Sequence, residues 1–356
     1  MTGCSSSGSD DRSVSSPSPA EGAPTSSPTG PPTSTPTGAS EPPSPVSTGP
    51  SPTPSVADRL VVPPAAAALP ATWRERFVIG YGRGEALLGT SPGGDSGTLD
   101  IGPEYGAPGP DGSWWFLDAA KARLAHFDAS GRFVGQVRIP RRLLVNGRYF
   151  QWQLPHVLSD GTLVAVRQTP NGAMLLRLRG GVLDEIPVGG TFAPAYDDGV
   201  SLYGFAGRGK PVVVDPMTGA THSTDMFRTP SGTPFSIRAG TRLEVRWPES
   251  GIAEALPLRT ESGATAHVGV QVRAGADDAL HLFLVGAGED DESLQLVGYT
   301  RVGPDGAVAP VEALPNPFSE ADPGSPAELV MSPGSSVPML VYVLPDGVHV
   351  YEHTDQ

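Results

Sequence analysis

A two-residue turn signal recurs through residues 58–356, and each occurrence leads into a short apolar segment. Asp111-Gly112, Asp160-Gly161 and Asp198-Gly199 are the clear cases, and Ala239-Gly240, Asp277-Asp278 and Gly334-Ser335 occupy similar places. Counted at 111, 160, 198, 240, 278 and 335, they lie 49, 38, 42, 38 and 57 residues apart. A second turn follows in each unit, at Ser130-Gly131, Gly180-Gly181, Thr218-Gly219, Ser250-Gly251, Asp305-Gly306 and Asp346-Gly347. The segments between are four to six residues long and rich in Val, Leu, Phe and Trp, as in Trp114-Trp115-Phe116-Leu117 and Leu280-His281-Leu282-Phe283-Leu284. Short apolar runs bounded by Gly, Pro or Asp read as strands. A period of roughly 40–50 residues is that of a four-stranded propeller blade. The reading is an all-β propeller of six blades, with seven allowed by the long last spacing.

Closure follows from the ends. The last unit supplies three strands, near Ala327–Met331, Met339–Leu344 and Val348–Glu352. The segment Arg76-Phe77-Val78-Ile79-Gly80-Tyr81 precedes the first unit and is expected to be the missing outer strand. Pairing chain start with chain end removes exposed sheet edges.

Residues 1–57 are different in kind. They hold 16 Ser, 13 Pro, 8 Thr and 6 Gly, and no Leu, Ile or aromatic residue. Such a stretch cannot bury enough apolar surface to offset its ordering entropy, so it is expected to be a disordered tether. The domain division is therefore 1–57 and 58–356. The single cysteine, Cys4, excludes disulfides within one chain and multi-Cys metal sites. It sits in Met1-Thr2-Gly3-Cys4-Ser5, which resembles the end of a bacterial lipoprotein signal, where small residues precede a Cys that becomes lipid-modified. That resemblance implies lipid attachment at Cys4 and a body held outside the cytoplasm at the bacterial membrane or envelope. The bland alternative is a chance Cys in a polar tail. Thirty-eight acidic against 24 basic residues argue against a nucleic-acid partner.

The unit from Gly102-Pro103 to Val137 contains Pro110-Asp111-Gly112, Phe116-Leu117-Asp118, Arg123, Phe127-Asp128 and Ser130-Gly131. It resembles an NHL-type repeat over about 35 residues, and the other units match it less well. The resemblance implies a six-bladed propeller related to gluconolactonase-like lactonases. Asp118 and Arg123 are then expected to face each other across a hairpin turn in a structural role. Read alone, Asp118 to Phe127 also has helix formers (Ala119, Ala120, Lys121, Ala122).

Catalytic spacings are missing. There is no Gly-x-Ser-x-Gly, no His-Glu-x-x-His and no phosphate-binding Gly-x-x-x-x-Gly-Lys. A lactonase-like enzyme would hold a divalent metal in the channel with carboxylate and Asn oxygens. The three Asn (Asn146, Asn171, Asn316) are each followed by Gly or Pro and read as turn residues. The seven His are scattered, and His349 and His353 would stand about 13 Å apart on a strand. Glu289-Asp290-Asp291-Glu292 is the densest charge run. Asp290 and Asp291 are weak metal candidates, with calcium the one cofactor in view; a solvated hairpin is the alternative. Tyr149, Phe150 and Trp152, together with Trp247, are candidates for a binding patch against a default of core packing. The expected function is a monomeric, lipid-anchored binding or scaffold protein that recognises a protein or cell-envelope component through its loops. A metal-dependent hydrolase and a carbohydrate-binding module are the alternatives.

Overall fold

The structure, a computed structural model, describes residues 58–90, 106–143, 153–169, 171–207, 210–289, 295–316 and 327–354. Two strands precede the first blade: β1 (Leu60–Val61) and β2 (Trp73–Gly80). Blade one is β3 (Gly106–Pro108), β4 (Trp114–Asp118), β5 (Arg123–Phe127) and β6 (Phe133–Arg138). Blade two is β7 (Gln153–Val157), β8 (Leu163–Thr169), β9 (Gly172–Arg179) and β10 (Val182–Val188). Blade three is β11 (Phe192–Asp197), β12 (Leu202–Ala206), β13 (Lys210–Val214) and β14 (Thr221–Ser223). Blade four is β15 (Phe227–Arg228), β16 (Pro234–Arg238), β17 (Arg242–Trp247) and β18 (Ile252–Arg259). Blade five is β19 (Ala266–Ala274), β20 (Leu280–Gly288), β21 (Gln295–Val302) and β22 (Glu312–Ala313). Blade six holds β23 (Ala327–Val330), β24 (Met339–Leu344) and β25 (Gly347–His353).

The expected closure is present. β2 is the fourth strand of blade six, antiparallel to β25 with Phe77 opposite Val350 and Ile79 opposite Val348. The six sheets make a six-bladed propeller, and seven blades are excluded by the strand order. One strand was not legible: β1 adds a parallel fifth strand outside β18, with Leu60 opposite Leu258. From there the chain bridges to blade five at Pro64–Leu296 and Ala66–Pro315 before entering blade six as β2.

Each blade buries both faces against its neighbours, which explains why its strands read as apolar runs rather than alternations. One core cluster packs blade one on blade two (Leu117 and Leu124 with Val157, Leu163 and Leu176). Another packs blade six on blade one, where Phe77, Val341 and Val350 meet Trp114, Phe116 and Phe127. Trp114 is fully buried and stacks edge-on against Phe77 with centroids 5.6 Å apart. Trp247 is 1% exposed in the core around blade four, so it belongs to no surface patch.

The first turn of a blade has a repeated bonding pattern. In blade one the Gly109 N–H donates to Ser113 O (2.7 Å) and the Gly112 N–H to Gly109 O (3.1 Å). The same pair recurs at Leu158–Thr162 in blade two and Gly275–Ala279 in blade five. In blade four it falls on Thr229–Thr233, closed by Gly232 at φ 93°. The first turn of that blade is therefore Ser231-Gly232, and Ala239-Gly240 joins the next two strands. The blade-four register was misread because both pairs are small and turn-forming. Asp118 to Phe127 is the β4–β5 hairpin and not a helix, with Asp118 directly opposite Arg123.

Candidate functional site

The inner strands β3, β7, β11, β19 and β23 adjoin one another around the axis. They are mostly apolar, and four of the polar residues they carry meet. His156 comes from blade two, Asp197 from blade three, Arg273 from blade five and Glu328 from blade six. His156 Nδ1 lies 2.7 Å from Asp197 Oδ2, and Arg273 Nη2 donates to Glu328 Oε1 at 3.3 Å. Register shifts, between Gln153 and His156 in β7 and between Pro194 and Tyr196 in β11, lie beside two of the four. A bulge of this kind re-aims the side chains around it.

His156 and Glu328 are each 3% exposed and Arg273 is 8% exposed. Burial pushes the Glu328 carboxyl up to about 8, against the pull of Arg273 and with a further push from Asp197. Burial also acts to raise Asp197, but the His156 hydrogen bond, the Arg273 charge and the Gly199 N–H (3.1 Å) together hold it below the ordinary carboxylate range. Asp197 is thus the ionised partner and Glu328 the protonated one near neutral pH. Arg273 also donates to Val272 O at 2.8 Å and Ala195 O at 3.2 Å. Two atoms are left over: His156 Nε2 and Glu328 Oε2 are buried with no hydrogen-bond partner among the described residues. The cavity lined by both residues is about 20 Å³, and a second of about 30 Å³ shares Asp197 and Arg273 with it. Such a volume holds a water molecule or two and no organic substrate.

The gluconolactonase-like expectation of a channel metal does not fit these residues. A divalent cation needs converging oxygens free to face it. Here the guanidinium of Arg273 is bonded to the Glu328 carboxyl and its positive charge acts on Asp197, and one carboxyl is neutral. Among the described residues no three His, Cys, Asp or Glu side chains converge as a metal site. His349 and His353 face different partners, Glu75 and Asp346 for the first (3.0 Å each) and Glu312 for the second (3.4 Å).

A wider recess opens on the same face, between the first turns of blades one and two. It has a volume of about 300 Å³ and is lined by Trp115, His126, Asp111, Asp160, Ser113 and Ser159 among others. Trp115 is half-buried, and its ring stacks on His126 with centroids 4.2 Å apart and planes 5° from parallel. Burial lowers the His126 pKa, so the imidazole is neutral. Hydrogen bonds from Ser113 hold Asp111 below the ordinary carboxylate range. At Asp160 burial pushes upward, and bonds from Thr162 with the charge of Arg179 more than reverse it. The recess therefore presents two ionised carboxylates beside an aromatic ring.

The residues singled out from sequence as site candidates, Cys4, Tyr149, Phe150, Trp152, Asp290 and Asp291, lie outside the described residues. The axial four were missed because no local spacing links them: 41, 76 and 55 residues separate them in order. The signal that could have found them is a charged or imidazole side chain interrupting an apolar inner strand shortly before a first turn.

A protein-family profile described as "Domain of unknown function (DUF7485)" matches residues 71–353. No curated protein matches. Among solved structures, the chain is similar to a streptogramin B lyase (16% identity over 71% of this chain and 83% of that one, TM-score 0.36). It is also similar to a virginiamycin B lyase from Staphylococcus aureus (12%, 73% and 97%, TM-score 0.36). A third is a calcium-binding protein, regucalcin, from Agrobacterium tumefaciens (14%, 83% and 97%, TM-score 0.38). Since the profile spans most of the chain and nearly all of the propeller, the protein belongs to the DUF7485 family.

Proposed function

We propose that the protein is a binding module of the cell envelope, tethered through a lipid at Cys4 and recognising its ligand on the first-turn face of the propeller. The observation that carries the reading is the recess of about 300 Å³ beside Trp115, placed within the size range of small-ligand sites. The axis beside it is filled by the His156–Asp197 and Arg273–Glu328 pairs. An aromatic ring with two ionised carboxylates suits an envelope component that presents hydroxyl or ammonium groups. Titration of the purified protein with soluble cell-wall glycan fragments and amino-sugar oligomers, followed by Trp fluorescence and calorimetry, tests this. Saturable binding that is weakened on the order of tenfold by Trp115→Ala supports it. Binding to none of these probes, or binding indifferent to Trp115, removes the recess as the recognition site. Fatty-acyl labelling that persists in Cys4→Ala would sink the anchoring part.

A second reading, hydrolysis at the axis, has one observation in its favour. Glu328 Oε2 and His156 Nε2, buried with no hydrogen-bond partner among the described residues, belong to an acid and a base that line one cavity of about 20 Å³, which admits water, so this reading requires the axis to open for a substrate. Lactone and ester turnover that disappears in Glu328→Gln would favour it over binding.

A further inference from the structure

The opposite end of blade one carries a cavity of about 430 Å³, larger than the recess beside Trp115. Its construction begins at the β4–β5 hairpin. Asp118 is fully buried and accepts hydrogen bonds from the Gly89 N–H (3.1 Å) and from Arg123 Nε (2.8 Å). The Arg123 guanidinium then donates to Glu85 O and Gln136 Oε1, at 2.8 and 2.7 Å. Lys121 Nζ donates to Gly84 O and Leu87 O, both at 2.7 Å. These bonds pin residues 84–89 against the hairpin, and they hold Arg83 at the same cavity as Arg138, which ends β6, and Arg141 just beyond it.

Arg83, Arg138 and Arg141 are exposed and line that cavity. None of the three guanidiniums has a hydrogen bond or ion pair among the described residues, whereas neighbouring Arg142 pairs with Glu185 at 3.4 Å. The one carboxylate in the lining is Glu85. With Arg123, also in the lining, neutralised by Asp118, counting Arg83, Arg138, Arg141 and Lys121 against Glu85 gives +3 locally, on a chain whose formal net charge is −14. A basic recess on an acidic body focuses anions toward itself while the rest of the surface repels them. Planar guanidiniums suit the paired oxygens of a phosphoryl group.

We propose that this cavity binds a phosphoryl dianion, borne by inorganic phosphate or pyrophosphate or by a phosphorylated sugar, with Arg83, Arg138 and Arg141 as its contacts. The cavity is at the other end of the blade from the Trp115 recess, so the proposal stands whether or not the envelope-binding reading holds.

Calorimetric titration of the full chain with inorganic phosphate, pyrophosphate and a hexose 6-phosphate, at about 50 mM and about 200 mM salt, tests it. Saturable binding is expected, weakening as salt rises. Arg138→Gln and Arg141→Gln should each weaken it on the order of tenfold without moving the melting temperature. A tighter fit for pyrophosphate or for the sugar ester identifies the source of the group. No saturable binding of any probe, or binding unaltered in the double variant R138Q/R141Q, overturns the proposal. Arg132→Gln is the control: its side chain is 84% exposed and pairs with Asp128, so it should leave binding unchanged.

Discussion

Glu328 and Asp197 are carboxyls in one cluster whose protons behave oppositely, and the difference follows from their partners. Asp197 has an imidazole, a guanidinium and an amide facing it, and its charge persists. Glu328 keeps one oxygen on Arg273 and one without a partner, and burial raises it from 4.5 to about 8. The folded chain therefore binds a proton that the unfolded chain releases at the ordinary value. Stability from this group is complete below pH 4.5 and is lost as pH rises toward about 8. Glu328→Gln keeps the shape and stays neutral, so its melting temperature should fall less than the wild type's between pH 5 and pH 8. Parallel melting curves scanned over that range decide it, and equal slopes for both proteins would mean that Glu328 is already ionised in the fold. Glu328→Ala is expected to destabilise at every pH, since Arg273 then loses a buried partner.

At the scale of elements, the turns were the most legible part of the sequence. Gly112 and Gly161 stand at φ 79° and 80°, a conformation that a side chain disfavours, and Asp-Gly pairs advertise it. Blade five breaks the rule, since Asp278 takes the same place at φ 62°. The reason lies in the neighbouring blade. Asp278 Oδ1 accepts hydrogen bonds from Thr229 Oγ1 and Ser231 Oγ, both at 2.6 Å, and Oδ2 from Thr233 Oγ1 at 3.0 Å. One carboxylate thus clasps the first turn of blade four to that of blade five, which justifies the strained backbone. Asp278→Ala should lose these bonds and retain the strain, costing about 2–4 kcal/mol. Asp278→Gly should lose the bonds and relieve the strain, so it is expected to be the milder of the two by about 1 kcal/mol. Urea unfolding of both variants checks the order. What stayed illegible depends on partners distant in sequence. The hydroxyls of Thr229, Ser231 and Thr233 read as an ordinary polar loop, and that is why the sequence pattern points to a blade-four turn eight residues too late. The axial four are hidden for the same reason, since each stands in a mostly apolar strand and meets partners from other blades.

At the scale of the molecule, the fold depends on how its two chain ends are secured. A ring of blades buries its cores between neighbours, so an open seam between blades one and six would expose the cluster of Phe77, Trp114, Val341 and Val350. The β2 strand seals that seam by giving blade six its outer strand and by sending Phe77 and Ile79 inward, where both are under 10% exposed. Its pairing residues lie more than 260 positions apart, as with Val78 opposite His349, so this sheet forms only when the whole chain is present. Long-range pairing of this kind is slow to form and leaves β25 with an open edge until it does. Deletion of residues 74–84 removes the strand, the Phe77–Trp114 contact and Gly84 O, one of the two carbonyls that anchor Lys121. The loss is expected to lower the melting temperature by well over ten degrees and to yield oligomers through the freed β25 edge. A shorter deletion, 58–62, removes the parallel strand β1 from the outside of β18 together with buried Val62, and should cost less, because blade four keeps four strands. Melting and light scattering on the two deletions separate these roles. Should loss of 74–84 leave a monomer that melts like the parent, the ring is closed by the blade cores alone and β2 is an ornament on its edge.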